Sequence, residues 1–263
     1  MTEQMLKRND APALHYRDDR GDKPPVMLIH GVGADGTSWD EIAPALSPNF
    51  RILRLDLRGH GQSGHVEGTL TIDDFVRDVV DVLDACAVSA TDIVGFSLGG
   101  MIAQGIALQH AKRVRRLVLL SAVAGRTAEE RERVQSRLKI LNEQGVGAIT
   151  GAAQERWFTP EFIARNPDLV ERRMQQLQEN HAPSYAAAYT VFSTTDLGDK
   201  LHGIHVPTLI ATGEHDVGSN TRMARYMHEQ IMGSKLQILT GLRHSILVEA
   251  PELVTRLISD FLI

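Results

Sequence analysis

The chain has 263 residues, 43% hydrophobic and 23% charged, which suits one large α/β domain or a domain with an insertion and argues against disorder. A formal net charge of −5 argues against a general binder of nucleic acid or anionic membrane, and one cysteine, Cys86, leaves no intrachain disulfide. The N-terminal MTEQMLKRNDAP lacks the apolar run of a signal peptide, and no stretch approaches the roughly 18 apolar residues that span a bilayer, so a cytoplasmic protein is expected.

Apolar β-rich runs alternate with helical ones, the pattern of a mostly parallel sheet with helices on both faces. A short run at 13–17, closed by Asp18-Asp19-Arg20-Gly21, reads as part of an N-terminal hairpin. Strands are expected at 26–29 and 51–55, with a helix at 39–46 between them. The next helix is the clearest: Ile72, Phe75, Val76, Val79, Val80 and Leu83 share one face, and Asp74, Arg77, Asp78 and Asp81 lie away from it. Thr71 suits its N-cap, and Cys86 reads as a buried structural thiol near its end. Strands follow at 92–94 and 117–120, separated by a helix at 101–110.

Between 123 and 204 the alternation stops and the sequence turns helical, far beyond the roughly 15 residues of a structureless connection. It reads as a helical cap folded over one end of the sheet, with residues 1–122 and 205–263 forming the core. Its charged runs, such as Glu129-Glu130-Arg131-Glu132-Arg133, read as solvated helix faces. Two more strands, at 208–211 and 236–239, precede a last helix that starts at Pro251 with Leu253, Leu257, Ile258 and Phe261 inward.

The strongest local signal is Val94-Gly95-Phe96-Ser97-Leu98-Gly99-Gly100, which contains G-x-S-x-G between an apolar strand and a helix. Small neighbours there let the chain turn tightly and present a serine. A serine hydroxyl needs a base, and the base needs an orienting acid. Asp216 and His244 each stand three residues beyond a glycine, Gly213 and Gly241, that closes a late strand. A parallel sheet brings both to the carboxyl edge that carries Ser97. Glu214 lies closer to the strand end, His205 and His215 read as structural histidines, and Ser121-Ala122-Val123 offers no alternative acid. The N–H groups of Leu98 and of Val32, in His30-Gly31-Val32-Gly33, are the expected oxyanion donors. Trp157 and Phe158 are candidate pocket residues. Arg126, Arg156 and Arg165 could meet a substrate carboxylate, although a solvated arginine is the simpler reading of each. Neither a metal site nor a nucleotide-binding glycine loop is apparent, so no cofactor is expected.

Together these residues resemble the α/β-hydrolase superfamily. The resemblance extends to Asp56-Leu57-Arg58-Gly59-His60-Gly61-Gln62-Ser63, to Val206-Pro207-Thr208-Leu209-Ile210 leading into Gly213-Glu214-His215-Asp216, and to Val248-Glu249-Ala250-Pro251-Glu252 after His244. Residues 95–104, Arg156-Trp157-Phe158-Thr159-Pro160, and Tyr185 with Asp196-Leu197 are similar to 3-oxoadipate enol-lactonases. The resemblance implies hydrolysis of a small ester or lactone, often one with a carboxylate, through an acyl-enzyme on Ser97. Val217-Gly218-Ser219-Asn220 departs from that group, where a proline-containing stretch is expected, so the loop that borders the substrate differs. Ser97 argues against dehalogenases and epoxide hydrolases, which use an aspartate. C–C bond hydrolases and cofactor-free haloperoxidases share the architecture, and a hydrolase-like ligand sensor with slow turnover is the alternative of another class.

Overall fold

The computed structural model describes residues 2–263. Its strands are β1 (Thr2–Leu6), β2 (Leu14–Asp18), β3 (Pro25–Ile29), β4 (Arg51–Leu55), β5 (Thr91–Phe96), β6 (Val114–Leu120), β7 (Thr208–Gly213) and β8 (Lys235–Leu239). They form one sheet in the order β1-β2-β4-β3-β5-β6-β7-β8. β2 pairs antiparallel with β1 and β4, and every pairing from β4 to β8 is parallel.

Three helices lie among the first six strands: α1 (Ala43–Leu46), α2 (Ile72–Ala85) and α3 (Leu98–Gln109). Between β6 and β7 come α4 (Ala128–Gln144), α5 (Gly147–Trp157), α6 (Pro160–Arg165), α7 (Pro167–Gln178) and α8 (Ala182–Thr194). The chain ends with α9 (Thr221–Gln230), α10 (Ile246–Glu249) and α11 (Pro251–Leu262).

Alternation along the strands explains why the sheet needs cover on both faces. Val26, Leu28, Ile52, Val94 and Val118 pack with Trp39, α1 and α11 in one core. Met27, Ile29, Leu53, Ile93 and Leu117 pack with α2, α3 and α9 in the other, which extends into α4, α5, α7 and α8. No described helix is long and apolar enough to cross a membrane.

The structure corrects several expectations. The N-terminal hairpin forms with the preceding strand β1, not through the 18–21 turn, because β2 pairs with β1 and β4. The segment expected as a helix at 39–46 splits into a 3-10 turn, Gly36–Trp39, and the short α1. Asp78, assigned to the outer face of α2, is fully buried, because Arg58 and Arg8 reach it with hydrogen bonds of 2.6 and 2.5 Å. In α11 the buried stripe is Val254, Ile258 and Leu262, while Leu253 is 38% exposed and Leu257 and Phe261 are half-buried. His205 and His215 are exposed surface residues. Thr71 caps α2, with the Asp74 carboxylate accepting from its N–H at 2.9 Å, and Cys86 is buried and unbridged.

Candidate active site

Ser97 occupies the turn from β5 to α3 with φ 54° and ψ −116°, a backbone conformation that costs about 1–3 kcal/mol and persists where packing enforces it. The enforcing contacts come from glycines. A Cβ on Gly95 would strike the Gly99 main chain, one on Gly99 would strike the Ile29 carbonyl, and one on Gly100 would lie 2.5 Å from the Ala122 Cβ. The spacing of the motif is therefore that of three close approaches around one strained serine. Ser97 N–H is held by the Leu120 carbonyl of β6 at 2.9 Å, and the residue is 3% exposed.

Asp216 and His244 meet at the same sheet edge, as their strands require. Asp216 Oδ2 accepts from His244 Nδ1 at 2.7 Å. Asp216 Oδ1 accepts from the Gly218 and Ser219 N–H groups at 2.8 and 2.9 Å. Burial alone would raise this carboxyl, but the adjacent His244 ring and those hydrogen bonds outweigh it and hold the group below the usual carboxylate range. With its proton on Nδ1, facing Asp216, the ring keeps Nε2 free to accept another. Close approach again depends on a glycine, since a Cβ on Gly213 would strike the Arg243 and Leu242 carbonyls. Ser121, at the position without an acid, supports the loop instead, its hydroxyl donating to the His244 carbonyl at 3.3 Å.

Ser97, Asp216 and His244 line one cavity together. The Ser97 hydroxyl makes no hydrogen bond to His244 among the described residues, a contact that in such sites commonly tightens only around substrate. Val32 lines the cavity, and Leu98 opens α3 immediately after Ser97. Among the described residues neither N–H donates to a protein acceptor. His30 anchors the Val32 loop: its Nε2 accepts the Leu57 N–H at 2.9 Å, so its Nδ1 carries the proton given to the Gly31 carbonyl at 2.7 Å. Complete burial pushes this ring below its ordinary pKa and keeps it neutral.

Trp157 and Phe158 both line the cavity, and the fully buried Phe158 stacks on Phe162 with ring centroids 5.6 Å apart. The three regional arginines separate clearly. Arg126 is an internal tie, donating to the Thr195 and Phe192 carbonyls at 3.0 and 2.8 Å. Arg165 is exposed on α6. Arg156 faces the cavity without a hydrogen bond or ion pair among the described residues, and burial, then the like charge of Arg137, push its guanidinium below its ordinary value.

Sequence reading missed Phe96, Arg137, Arg173, Tyr185 and Tyr189, which line the same cavity. Arg137 donates to the Tyr189 hydroxyl at 3.2 Å and has no carboxylate partner among the described residues. Arg173 donates to Gln176 at 2.9 Å and feels Asp35 and Asp40, so its charge is partly balanced. Phe96 carried a signal as the residue before the serine, and Tyr185 belonged to a stretch similar to enol-lactonases, though neither was assigned to the pocket; the others depend on how α4, α7 and α8 are laid over the sheet edge. Among the described residues no group of three or more His, Cys, Asp or Glu side chains could hold a metal.

A model of the α/β-hydrolase fold matches residues 24–251. The chain belongs to that family. This α/β hydrolase is 27% identical over 241 residues to 3-oxoadipate enol-lactonase 2 of Acinetobacter baylyi, covering 91% of this chain and 89% of the relative. It is 27% identical over 265 residues to the (E)-2-((N-methylformamido)methylene)succinate hydrolase of the same organism, covering 100% and 98%. The crystal structure of an enol-lactonase from Burkholderia xenovorans LB400 superposes with a TM-score of 0.90 at 29% identity, covering 96% and 97%.

Proposed function

We propose that this α/β hydrolase is a serine hydrolase that cleaves a small carboxylic ester or lactone through an acyl-enzyme on Ser97. The observation that carries the reading is the 2.7 Å Asp216–His244 pair opening onto the same cavity as a serine in a strained turn. His244 Nε2 takes the hydroxyl proton as Ser97 attacks the carbonyl, and Asp216 stabilises the imidazolium. The Val32 and Leu98 N–H groups receive the developing oxyanion. His244 then returns its proton to the leaving oxygen and activates the water that releases the acyl group. Residues 123–204 act as a cap whose helices α4, α5, α7 and α8 shape the pocket.

Two half-buried cap guanidiniums on the cavity, Arg137 and Arg156, have no carboxylate partner among the described residues and favour an acid-bearing substrate such as an enol-lactone, since cations shielded from water are stable when paired. The names of the two enol-lactonase relatives agree with that choice. The test is steady-state hydrolysis of short aryl esters, simple lactones and carboxylate-bearing enol-lactones, with Ser97→Ala as control. Ser97-dependent turnover is expected. Full activity of a folded Ser97→Ala protein would refute the mechanism. No turnover on any compound would refute the substrate class in favour of C–C cleavage, haloperoxidation or a sensor.

A further inference from the structure

The loop carrying His244 is held from two directions. On the core side, His215 N–H donates to the Leu242 carbonyl at 2.8 Å and Ser121 supports the His244 carbonyl. On the other side the loop is stitched to the junction of α5 and α6. Ser245 N–H donates to the Trp157 carbonyl at 2.9 Å. Arg243 Nη1 donates to the Phe158 carbonyl at 3.2 Å and also to the Glu155 carbonyl.

One carboxylate closes this seam. Glu249 Oε1 accepts from the Thr159 N–H at 2.7 Å and from the Thr159 hydroxyl at 2.8 Å, while Oε2 accepts from the Arg243 N–H at 3.1 Å. The residue is half-buried on α10 and does not line the cavity. Its partners are neutral donors on two separate segments, one adjoining His244 and the other adjoining Trp157 and Phe158. A carboxylate used in that way fixes geometry, because each oxygen is committed to a different segment.

We infer that Glu249 is a positioning residue that locks the His244 loop to the 155–159 segment, so that the base and the cavity-facing Arg156 keep a fixed spacing. The inference rests on the proposed role of Ser97 and His244. Displacement of a base by about 1 Å can cost on the order of 100-fold in rate, so a link of this kind acts on turnover more than on binding. Gln at position 249 is nearly isosteric but has one acceptor oxygen. Whichever way the amide turns, its NH2 confronts either the Arg243 N–H or the Thr159 N–H, and one arm of the link is broken or weakened.

The experiment compares the intact protein with Glu249→Gln, Glu249→Ala, Thr159→Val and the double variant Glu249→Gln with Thr159→Val. It measures the rate at which a fluorophosphonate labels Ser97, kcat and KM on a neutral aryl ester, and Tm. The expected result is a fall of about 10- to 100-fold in labelling rate and kcat for Glu249→Gln with KM little changed. Thr159→Val should fall less, and the double variant should show less than the product of the two effects, since both cut the same link. Wild-type labelling and kcat in Glu249→Gln, or a lowered Tm with unchanged kcat below it, would overturn the inference and leave the nucleophile reading intact. If Glu249→Ala fails to fold, Glu249→Gln decides. Absence of Ser97 labelling in the wild-type protein would overturn the nucleophile reading and this inference with it.

Discussion

Asp216→Asn separates geometry from charge at the proposed base, His244. Asp216 Oδ1 receives two main-chain donors, the Gly218 and Ser219 N–H groups at 2.8 and 2.9 Å. An asparagine must keep its carbonyl oxygen there, because its NH2 would meet two N–H groups and leave buried donors unpaired. The NH2 then occupies the Oδ2 position, 2.7 Å from His244 Nδ1. That nitrogen is forced to accept, the ring proton moves to Nε2, and Nε2 can no longer take the proton of Ser97. The substitution preserves shape and the two loop hydrogen bonds, so stability should change little, while kcat should fall by about 10⁴-fold, or about 5 kcal/mol of transition-state stabilisation. Stopped-flow or endpoint hydrolysis of an aryl ester at neutral pH, alongside thermal melting, measures both. A folded Asp216→Asn protein within tenfold of wild-type kcat would refute the assignment of Asp216 and the tautomer argument together.

Arg156→Gln should lower kcat/KM for a carboxylate-bearing lactone by about 10- to 100-fold, the worth of a hydrogen bond to a charged group, while neutral esters are unaffected; equal losses on both would contradict a carboxylate contact. Gly99→Ala should destabilise the fold by about 1–3 kcal/mol, because its Cβ meets the Ile29 carbonyl, and an unchanged urea midpoint would contradict that packing. Stability should also fall in two acid windows, read as the urea midpoint against pH. Burial, then the nearby His30, depress His60 to about 4, so its contribution is full above its ordinary value of 6.5 and is lost as pH falls towards 4. Glu130 is lowered to about 2 because hydrogen bonds from Arg222, Asn220 and Thr127 outweigh its burial, so its contribution is full above 4.5 and is lost towards pH 2. Glu130→Gln should shrink the second window, to which the likewise lowered Asp18, Asp35, Asp74 and Asp216 also contribute, and leave the first unchanged.

Local chemistry made much of the molecule legible in the sequence. Glycine spacing around Ser97 marked a turn because each glycine answers a contact within a few residues or with an adjacent strand. Strand periodicity and the order of elements brought Asp216 and His244 to the edge that carries Ser97, since parallel strands share a carboxyl end. The same local rules failed where a distant partner chose the outcome. Asp78 follows the polar spacing of α2, yet Arg8 and Arg58 draw it inward. The stripe of α11 keeps the expected Ile258 at its centre, with Leu257 and Phe261 at its margin, but runs through Val254 and Leu262 and leaves Leu253 exposed, because the packing of α11 against α1 and the sheet sets its rotation. Arg137, Arg156, Arg173 and Tyr185 come from separate helices, and no periodicity within one helix indicates which face another will cover. Glu249 belonged to a recognised stretch, but its two-armed link joins residues 90 and 6 positions away. The sequence by itself determined the succession of strands and helices along the chain, the mostly parallel sheet and the tight turn at Ser97, because those follow from periodicity, local sterics and chain topology. Tertiary structure alone decided which cations face the cavity and what holds the histidine loop, because those depend on how five helices settle against the sheet edge.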